Sequence, residues 1–174
     1  MRSSPSGGGG IKSKSITMNY LSMRMSNVRE ENMEIIYPAV LTPDEGTFMV
    51  TFPDFEEAIT SGATEEEALV MAADCLEEVI ADRIVRREDV PSPSLLEPGM
   101  YAVFLPTLTA AKAALWMEMR RQGLRKADLA ARLDWDQKQV DRLFNFHHSS
   151  KPEVIDQALR ALGKRLVVSL ADAA

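Results

Sequence analysis

The sequence predicts an α+β protein in which a small sheet and one long helix are followed by a helical part. Phe48, Val50 and Phe52 recur at every second position, which indicates a β-strand because every second side chain of a strand shares a face. From Thr64 the apolar residues recur at three- and four-residue intervals, which is the spacing of one helical face. The helical spacing returns between Leu108 and Leu162.

Three strands are predicted before the first helix. Pro38 lies in the first strand and favours an edge position, because proline has no N–H to donate to a neighbouring strand. Turn residues at 42 to 46 separate the first strand from the second, and Phe55 lies in the loop before the third. The predicted bounds are 33–41, 47–52 and 57–60.

The first predicted helix runs from Thr64 to about Arg86. Thr64 and Glu67 have the spacing of a capping box, in which each side chain binds a free N–H group of the first turn. Cys75 lies on the apolar side of this helix, where a buried core residue is favoured over a reactive thiol. The stripe expected to be buried is Ala68, Ala72, Cys75, Leu76, Val79 and Ile80.

A loop at residues 91 to 99 and a strand at 100 to 106 lead into the helical part. There, Gly123 is expected to stop a helix that places Ala111, Ala114, Leu115 and Met119 inward. Pro152 suits the first turn of a later helix, because the missing N–H does no harm there. The predicted elements are helices at 108–122, 126–143 (two short helices) and 152–162, and a terminal strand at 166–170.

The two short helices are organised around a tight turn at Asp134. Leu129, Ala130 and Leu133 share one face of the first, and Trp135 and Val140 begin the apolar face of the second. Many proteins with this arrangement carry Gly at the bend; Asp also tolerates the left-handed backbone that such a turn needs. The spacing is similar to the helix-turn-helix of DNA-binding repressors, and an ordinary helical hairpin is the alternative.

Polar residues on the outward side of this pair are the candidate DNA contacts. Gln and Asn can form paired hydrogen bonds with adenine, and Arg and Lys can do so with guanine. A solvated helix surface would have the same composition, so chemistry alone leaves both interpretations open. The candidates are Lys126, Gln137, Lys138, Asp141, Arg142 and Asn145.

The composition indicates a cytoplasmic protein without a cofactor. No apolar run approaches the roughly 20 residues that span a membrane. Cys75 is the only cysteine, which excludes an intramolecular disulfide, and no metal-ligand cluster stands out. Tandem His147 and His148 favour phosphate contact or local packing over a metal site. Residues 1 to 32 are rich in Gly, Ser and scattered polar residues, and we expect a disordered extension there.

The charge is divided between the two parts of the chain. Residues 33 to 106 contain three basic and sixteen acidic residues, a net charge of −13. Residues 107 to 174 contain twelve basic and eight acidic residues, a net charge of +4. The second part suits phosphate, whereas the first suits a basic protein and would repel nucleic acid. Acidic surfaces also serve solubility, which is the alternative for the first part.

Four motifs in order support a family resemblance. EGTFMVTFPD (45–54) and TSGATEEEA (60–68) are followed by RLFNFHHSSK (142–151) and ALGKRL (161–166). With this spacing the chain resembles the HicB antitoxins of type II toxin–antitoxin systems, in the subtype with a helix-turn-helix. The resemblance covers residues 34 to 170, and Asp134 at the turn departs from it.

The resemblance implies a two-part regulator. Residues 33 to 106 would adopt a partial ribonuclease-H-like βββαβ fold and neutralise a small HicA-type toxin, an mRNA-cleaving enzyme. Residues 107 to 174 would form a homodimer, with a higher oligomer left open, and repress the protein's own operon by binding operator DNA. A repressor without a toxin partner is the alternative.

An acidic loop is the candidate toxin contact, with Phe55 as its apolar anchor. The alternative is that Phe55 joins the core of the sheet. A ribonuclease-H-like fold also raises the possibility of a two-metal nuclease, but the first strand offers no carboxylate after Glu34, so no enzymatic activity is expected. The candidate residues are Asp54, Phe55, Glu56 and Glu57.

Overall fold

The structure is a computed structural model that describes residues 33 to 168, so the predicted disordered extension at 1 to 32 lies outside it. Within these residues an antiparallel sheet with one long helix precedes shorter helices, which confirms the α+β class. The described residues from Ile35 onward belong to one compact unit. The strands are β1 (Ile36–Asp44), β2 (Thr47–Phe52), β3 (Phe55–Gly62) and β4 (Tyr101–Phe104), and the helices are α1 (Glu65–Arg86), α2 (Thr107–Arg121), α3 (Lys126–Leu133), α4 (Gln137–Leu143) and α5 (Pro152–Ala161).

The strands pair antiparallel in the order β3-β2-β1-β4. β1 is therefore an interior strand, and the prediction that Pro38 marks an edge strand is wrong. The two neighbours of β1 pair with different parts of it, since β4 lies beside residues 36–39 and β2 beside residues 40–44. Pro38 thus has a pairing strand on one side only, an environment that a residue without an N–H tolerates.

A two-residue turn joins β1 to β2, which is shorter than the turn predicted at 42 to 46. The ladder continues to Asp44, which lies opposite Thr47. Glu45 and Gly46 follow with φ angles of 41° and 89°. Positive φ at both central positions is typical of a type I′ turn, whose twist matches that of the flanking strands.

Phe55 begins β3 and is fully buried, so the prediction of an exposed loop at this residue is wrong. Its ring meets the Tyr37 ring edge-on, with 5.0 Å between the centroids. The Arg83 guanidinium carbon lies 5.1 Å from the centroid of the Phe55 ring. β3 starts before the predicted residue because Phe55 pairs with Phe52 across an irregularity in the ladder. The alternative, that Phe55 joins the core of the sheet, is confirmed.

Helix α1 lies against the sheet and begins at the predicted cap. The Thr64 hydroxyl accepts a hydrogen bond from the Glu67 N–H at 3.1 Å, and the Glu67 carboxylate reaches back to the Ala63 N–H at 2.9 Å. Helix and sheet approach most closely at Gly62, where an added Cβ would lie 2.3 Å from the main-chain nitrogen of Ala68. The buried residues of α1 are Ala68, Ala72, Leu76, Ile80 and Ile84.

Helix α2 is buried on most sides, whereas the sequence predicts a single inward face. The Thr109 hydroxyl donates to the Glu77 carboxylate of α1 at 2.6 Å, which links α2 to α1. The Trp116 indole N–H donates to the carbonyl of Glu88, just after α1, at 3.0 Å. α2 therefore joins the acidic residues 33–106 to the helices that follow. Its buried residues are Thr109, Ala111, Lys112, Ala113, Leu115, Trp116, Met117, Glu118 and Met119.

The predicted terminal strand is not formed by the residues that the structure describes. Leu166 to Val168 pair with no strand, and Ser169 and Leu170 lie outside the described residues. The Leu166 N–H instead donates to the Asp156 carboxylate of α5 at 2.9 Å, which removes it from any ladder. This hydrogen bond holds the pKa of Asp156 below its ordinary value, with a further contribution from Arg160.

Candidate nucleic-acid interface and acidic surface

Helices α3 and α4 are joined by the tight turn that the sequence predicts. Asp134 has φ 54° and ψ 43°, which is the left-handed conformation expected at this position. Asp136 then caps α4, because its carboxylate accepts from the Gln139 N–H at 2.8 Å while the Gln139 side chain accepts from the Asp136 N–H at 3.0 Å. The sequence places Trp135 in the second short helix, but in the structure it lies in the turn before α4.

The inward faces of α3 and α4 form one apolar contact. Ala130, which the sequence places on the inward face of the first short helix, is 8% exposed at this contact. Phe144 follows α4 and packs edge-on against Trp116 of α2, with 5.2 Å between the ring centroids. Leu133 and Trp135 are half-buried at the rim. Fully buried at the centre are Leu129, Val140 and Leu143.

The outward face of α4 carries exposed polar side chains. Asp141 accepts from Lys126 of α3 and from Gln137 one turn earlier, with both nitrogens 3.4 Å from the same oxygen. Asp141 therefore orients Gln137 and Lys126. Asn145 lies just beyond the helix, and its side-chain oxygen accepts from the His147 N–H at 3.0 Å. The exposed candidates are Gln137, Lys138, Asp141, Arg142 and Asn145.

Lys126 differs from the other candidates because it is half-buried. Its ammonium lies 5.3 Å from the centroid of the Phe144 ring and 5.9 Å from that of Trp116, within the range of cation–π attraction. The same ammonium forms a salt bridge with Asp141. These contacts tie the start of α3 to the end of α4, so Lys126 holds the two helices together.

A groove of about 450 Å³ runs beside α4, between this helix and the start of α5. We call it the basic groove, because Arg142, Lys151 and His148 contribute to its lining. Ser149 and Ser150 add hydroxyl groups that can donate hydrogen bonds. The remaining lining residues are Trp135, Gln139, Leu143, Val154 and Gln157.

Three carboxylates at the start of β3, which we call the acidic edge (Asp54, Glu56 and Glu57), lie close together along the chain. Asp54 accepts from the main-chain N–H of Ser94 at 3.0 Å and from its hydroxyl at 3.2 Å. Glu57 accepts from Arg83 of α1 at 2.6 Å, and this hydrogen bond lowers the pKa of Glu57 below its ordinary value. Glu56 is exposed. Two of the three charges are thus held in place by the fold.

The bond between Asp54 and Ser94 brings an apolar loop to the acidic edge. Leu95 and Leu96 directly follow Ser94 and are 61% and 55% exposed. Exposed apolar surface bordered by polar residues is typical of protein interaction sites. The sequence shows Leu95 and Leu96 in a loop, but only the contact with Asp54 places them beside the carboxylates.

Sequence reasoning missed two charged residues that the fold buries, Lys112 and Glu118, both in α2. The Lys112 ammonium donates to the carbonyl oxygens of Asn145 at 2.6 Å and His148 at 2.5 Å. Glu118 accepts two hydrogen bonds from Arg121, at 2.8 and 2.7 Å, and one from Gln122 at 2.7 Å. A signal was present for Lys112, because it is the only charge between Thr107 and Met117 in an Ala- and Leu-rich helix.

Among residues 33 to 168, no three His, Cys, Asp or Glu side chains lie close enough together to bind a metal ion. His147 and His148 are exposed, and the carbonyl of His148 takes part in local packing through Lys112. Cys75 is half-buried against the core, and burial raises the pKa of its thiol. No helix within the described part of the chain combines the length and apolar composition needed to cross a membrane.

The family model and the curated relatives that match this chain all describe one family of proteins. Residues 36 to 114 match the family model described as the HicB-like antitoxin of bacterial toxin–antitoxin systems. Antitoxin HicB of Pseudomonas fluorescens (strain Pf0-1) is 36% identical, over 77% of this chain and 92% of the relative. Antitoxin HicB of Escherichia coli (strain K12) is 35% identical, over 75% of this chain and 95% of the relative. Antitoxin HicB 2 of Photorhabdus laumondii (strain DSM 15139 / CIP 105565 / TT01) is 38% identical, over 75% of this chain and 92% of the relative.

Fold and relatives together define an antitoxin of a bacterial toxin–antitoxin system. The chain belongs to the HicB antitoxin family. The resemblance that the four sequence motifs predict is therefore confirmed.

Proposed function

We propose that this antitoxin neutralises a small basic HicA-type toxin through its acidic part and represses its own operon by binding operator DNA through α3 and α4. Membership of the HicB family carries the proposal, because an antitoxin implies a toxin partner. The charge split supports a division of labour, with residues 33–106 at −13 and residues 107–174 at +4. The division into these two functional segments is part of the proposal.

The DNA-binding proposal rests on the outward face of α4 and on the basic groove beside it. Gln137, Lys138 and Arg142 are exposed on one short helix whose orientation is set by a tight turn and a capped start. Side chains of this kind read base edges in the major groove. Arg142 and Lys151 of the basic groove would contact the phosphate backbone, which supplies affinity without sequence preference.

Two substitutions separate these roles. Arg142→Ala should weaken operator binding by roughly 1–3 kcal/mol and relax sequence preference at one position if Arg142 reads a base. Lys151→Ala should weaken binding to all sequences alike and lower the salt dependence by about one ion. Binding is measured by fluorescence anisotropy with a duplex from upstream of the gene and with a random duplex. Parent-like binding by both variants would place the DNA contact elsewhere.

The toxin-binding proposal rests on the acidic edge and the loop beside it. Ser94 holds Asp54, so the charge of Asp54 is presented without a large loss of side-chain entropy on binding, whereas the charge of Glu57 is balanced by Arg83. Because Phe55 is buried, Leu95 and Leu96 replace it as the proposed apolar anchors. The exposed Glu56 completes the acidic edge.

The experiment is co-purification of the full chain with the product of the small reading frame next to its gene. The full chain is used because Thr109 and Trp116 hydrogen-bond across the boundary between the two parts. We expect a stable complex and restored growth on co-expression. Leu95→Asp with Leu96→Asp should abolish the complex, while Val85→Asp, also exposed and apolar, serves as the matched control. A neighbouring product that neither binds nor inhibits growth would favour a repressor without a toxin partner.

A homodimer is the proposed DNA-binding form, and a higher oligomer is left open. One helix-turn-helix covers one half-site, and two-fold symmetry places a second domain on the next. Val167 and Val168 are 69% and 74% exposed, and Leu166 before them borders an apolar cavity of about 310 Å³. Removing the residues after Gly163 should yield monomers by light scattering and weaken operator binding. If the truncated protein remained a dimer, the dimer interface would lie in another part of the chain.

Binding, not catalysis, is the proposed mode of action. A nuclease would need free carboxylates around its metal ions. In the acidic edge, Asp54 is hydrogen-bonded to Ser94 and Glu57 is paired with Arg83. An RNA-cleavage assay with added Mg²⁺ tests this, and activity that follows the purified chain would contradict it.

A further inference from the structure

Lys112 places a positive charge inside the protein, at the end of the helix proposed to read DNA. Lys112 is fully buried in α2. The ammonium donates to the main-chain carbonyls of Asn145 and His148, at 2.6 and 2.5 Å. These carbonyls mark the two ends of one turn, because the His148 N–H also donates to the Asn145 carbonyl at 3.1 Å. Lys112 therefore closes the turn that follows α4.

Burial of the Lys112 ammonium is unfavourable in free energy unless other contacts compensate for it. Removing a charge from water is unfavourable unless hydrogen bonds compensate for the lost hydration. Burial accordingly lowers the pKa of Lys112, although the carboxylate of Glu77 opposes this effect. Burial of a charge is weak evidence of net stabilisation, because whole buried ion pairs can often be replaced by apolar residues of similar volume without loss of stability. The two hydrogen bonds of Lys112 show which part of the chain its charge holds in place.

Both hydrogen bonds attach the turn after α4 to α2. Helix α4 has seven residues, too few to be stable without tertiary contacts. Phe144, at its end, packs on Trp116, which lies one turn after Lys112 on the same side of α2. Lys112 thus adds a polar attachment next to an aromatic one. The aromatic contact resists separation of the helices, while the paired hydrogen bonds set the position of the turn.

We propose that Lys112 is a positioning residue for DNA recognition, fixing the orientation of α4 so that its outward side chains meet base edges. This inference rests on the proposed DNA-binding function. Base reading needs hydrogen-bond geometry accurate to a fraction of an ångström, whereas phosphate contacts tolerate adjustment. Loss of Lys112 should therefore reduce discrimination between sequences more than it reduces overall affinity for DNA.

The test compares Lys112→Met with Lys164→Met, an exposed lysine that follows α5. Lys112→Met keeps the length and apolar stem of the side chain but removes its donor. We expect its preference for the upstream duplex over a random duplex to fall about tenfold, a loss comparable to that of one base contact. Random-duplex affinity should stay near that of Lys164→Met. An unchanged preference, or equal loss on both duplexes, would overturn the proposal.

Amide hydrogen exchange gives a second readout that needs no DNA. In Lys112→Met, exchange should accelerate at residues 137–148 and remain parent-like in α1, because only the turn loses its attachment. Uniform or unchanged exchange would overturn the proposal, even if the parent proved not to bind DNA. If Lys112→Met does not fold, Lys112→Gln keeps a shorter donor, and the same local acceleration is expected. Absence of parent DNA binding would contradict the proposed function separately.

Discussion

At the scale of single residues, backbone conformation and buried charge decide what each position tolerates. Asp134 shows the first effect: its left-handed backbone lies between two helices that must cross closely. Residues other than Gly, Asn and Asp pay about 1–2 kcal/mol for this conformation. The side chain of Asp134 is exposed, so its contribution is expected to come from its backbone tolerance.

Asp134→Ala should therefore destabilise the protein by about 1 kcal/mol, whereas Asp134→Gly should be neutral or stabilising. Urea unfolding followed by circular dichroism measures both. Asp136→Ala is a useful comparison, because it removes the cap of α4 by a different mechanism. Equal destabilisation by Gly and Ala at residue 134 would show that the carboxylate, and not the backbone, is needed.

Glu118 shows the effect of a buried charge. The hydrogen bonds from Arg121, supported by one from Gln122, lower the pKa of Glu118 below the ordinary value of 4.5. Because the pKa is lower in the folded than in the unfolded protein, the resulting stabilisation is fully present above that ordinary value. It is lost as the pH falls through the pKa of the folded state.

Glu118→Gln should cost roughly 1–3 kcal/mol at neutral pH, as expected for buried hydrogen bonds to a charged group. The difference from the parent should shrink as the pH falls below 4.5. Unfolding free energies across this range test the prediction, with Glu153→Gln on the surface of α5 as the control for loss of one negative charge. A difference that is independent of pH would assign the effect to packing.

At the scale of elements, one close approach fixes how α1 lies on the sheet. Gly62 ends β3 directly beneath the first turn of α1, and its backbone φ is not in the left-handed region. The position requires glycine because of space and not because of backbone strain. Any side chain would have to displace the main chain near Ala68, which cannot move without moving the helix.

Gly62→Ala should destabilise the protein by about 1–3 kcal/mol or more, which is the usual range for overpacking. Gly46→Asn is the matched control, since Gly46 has open space around it and Asn tolerates its positive φ. Thermal unfolding should show a clear loss for the first variant and a small effect for the second. Equal effects would mean that helix and strand separate easily at Gly62.

At the scale of the whole molecule, the acidic charge of residues 33–106 predicts how binding of the proposed toxin responds to salt. Electrostatic attraction chiefly raises association rates, so binding of a basic toxin should slow as salt increases. Glu56→Arg on the acidic edge should reduce this rate, whereas Glu153→Arg in the basic part should change it little. Stopped-flow mixing with the toxin at several salt concentrations provides the measurement. Equal effects of the two variants would contradict a localised acidic interface.

The two parts are also joined by contacts that sequence patterns do not reveal. Arg120 of α2 pairs with Asp89 at 2.7 Å, and Trp116 bonds to Glu88 beside it. The apolar core is correspondingly one cluster that extends from the sheet to α5. These contacts explain why α2, expected to bury one face, is enclosed on most sides.

Elements that depend on neighbouring residues could be predicted from the sequence. Periodicity, the cap at Thr64 and the bend at Asp134 depend on neighbouring residues, and each is found where the pattern predicts it. Motif order was likewise sufficient for the family. The polar face of α4 could also be predicted, because helix geometry alone directs its side chains outward.

Contacts between residues that are distant in sequence could not be predicted and are seen in the folded structure. Phe55 lies in the core because Tyr37 and Arg83 cover it. The buried Lys112 ammonium has a hydrogen-bond partner because the carbonyl of Asn145, 33 residues later, lies beside it. The interior place of β1 has the same origin, since β4 returns to pair with it after a long helix. Local patterns encode periodicity and turn chemistry, whereas pairing and burial depend on contacts distant in sequence.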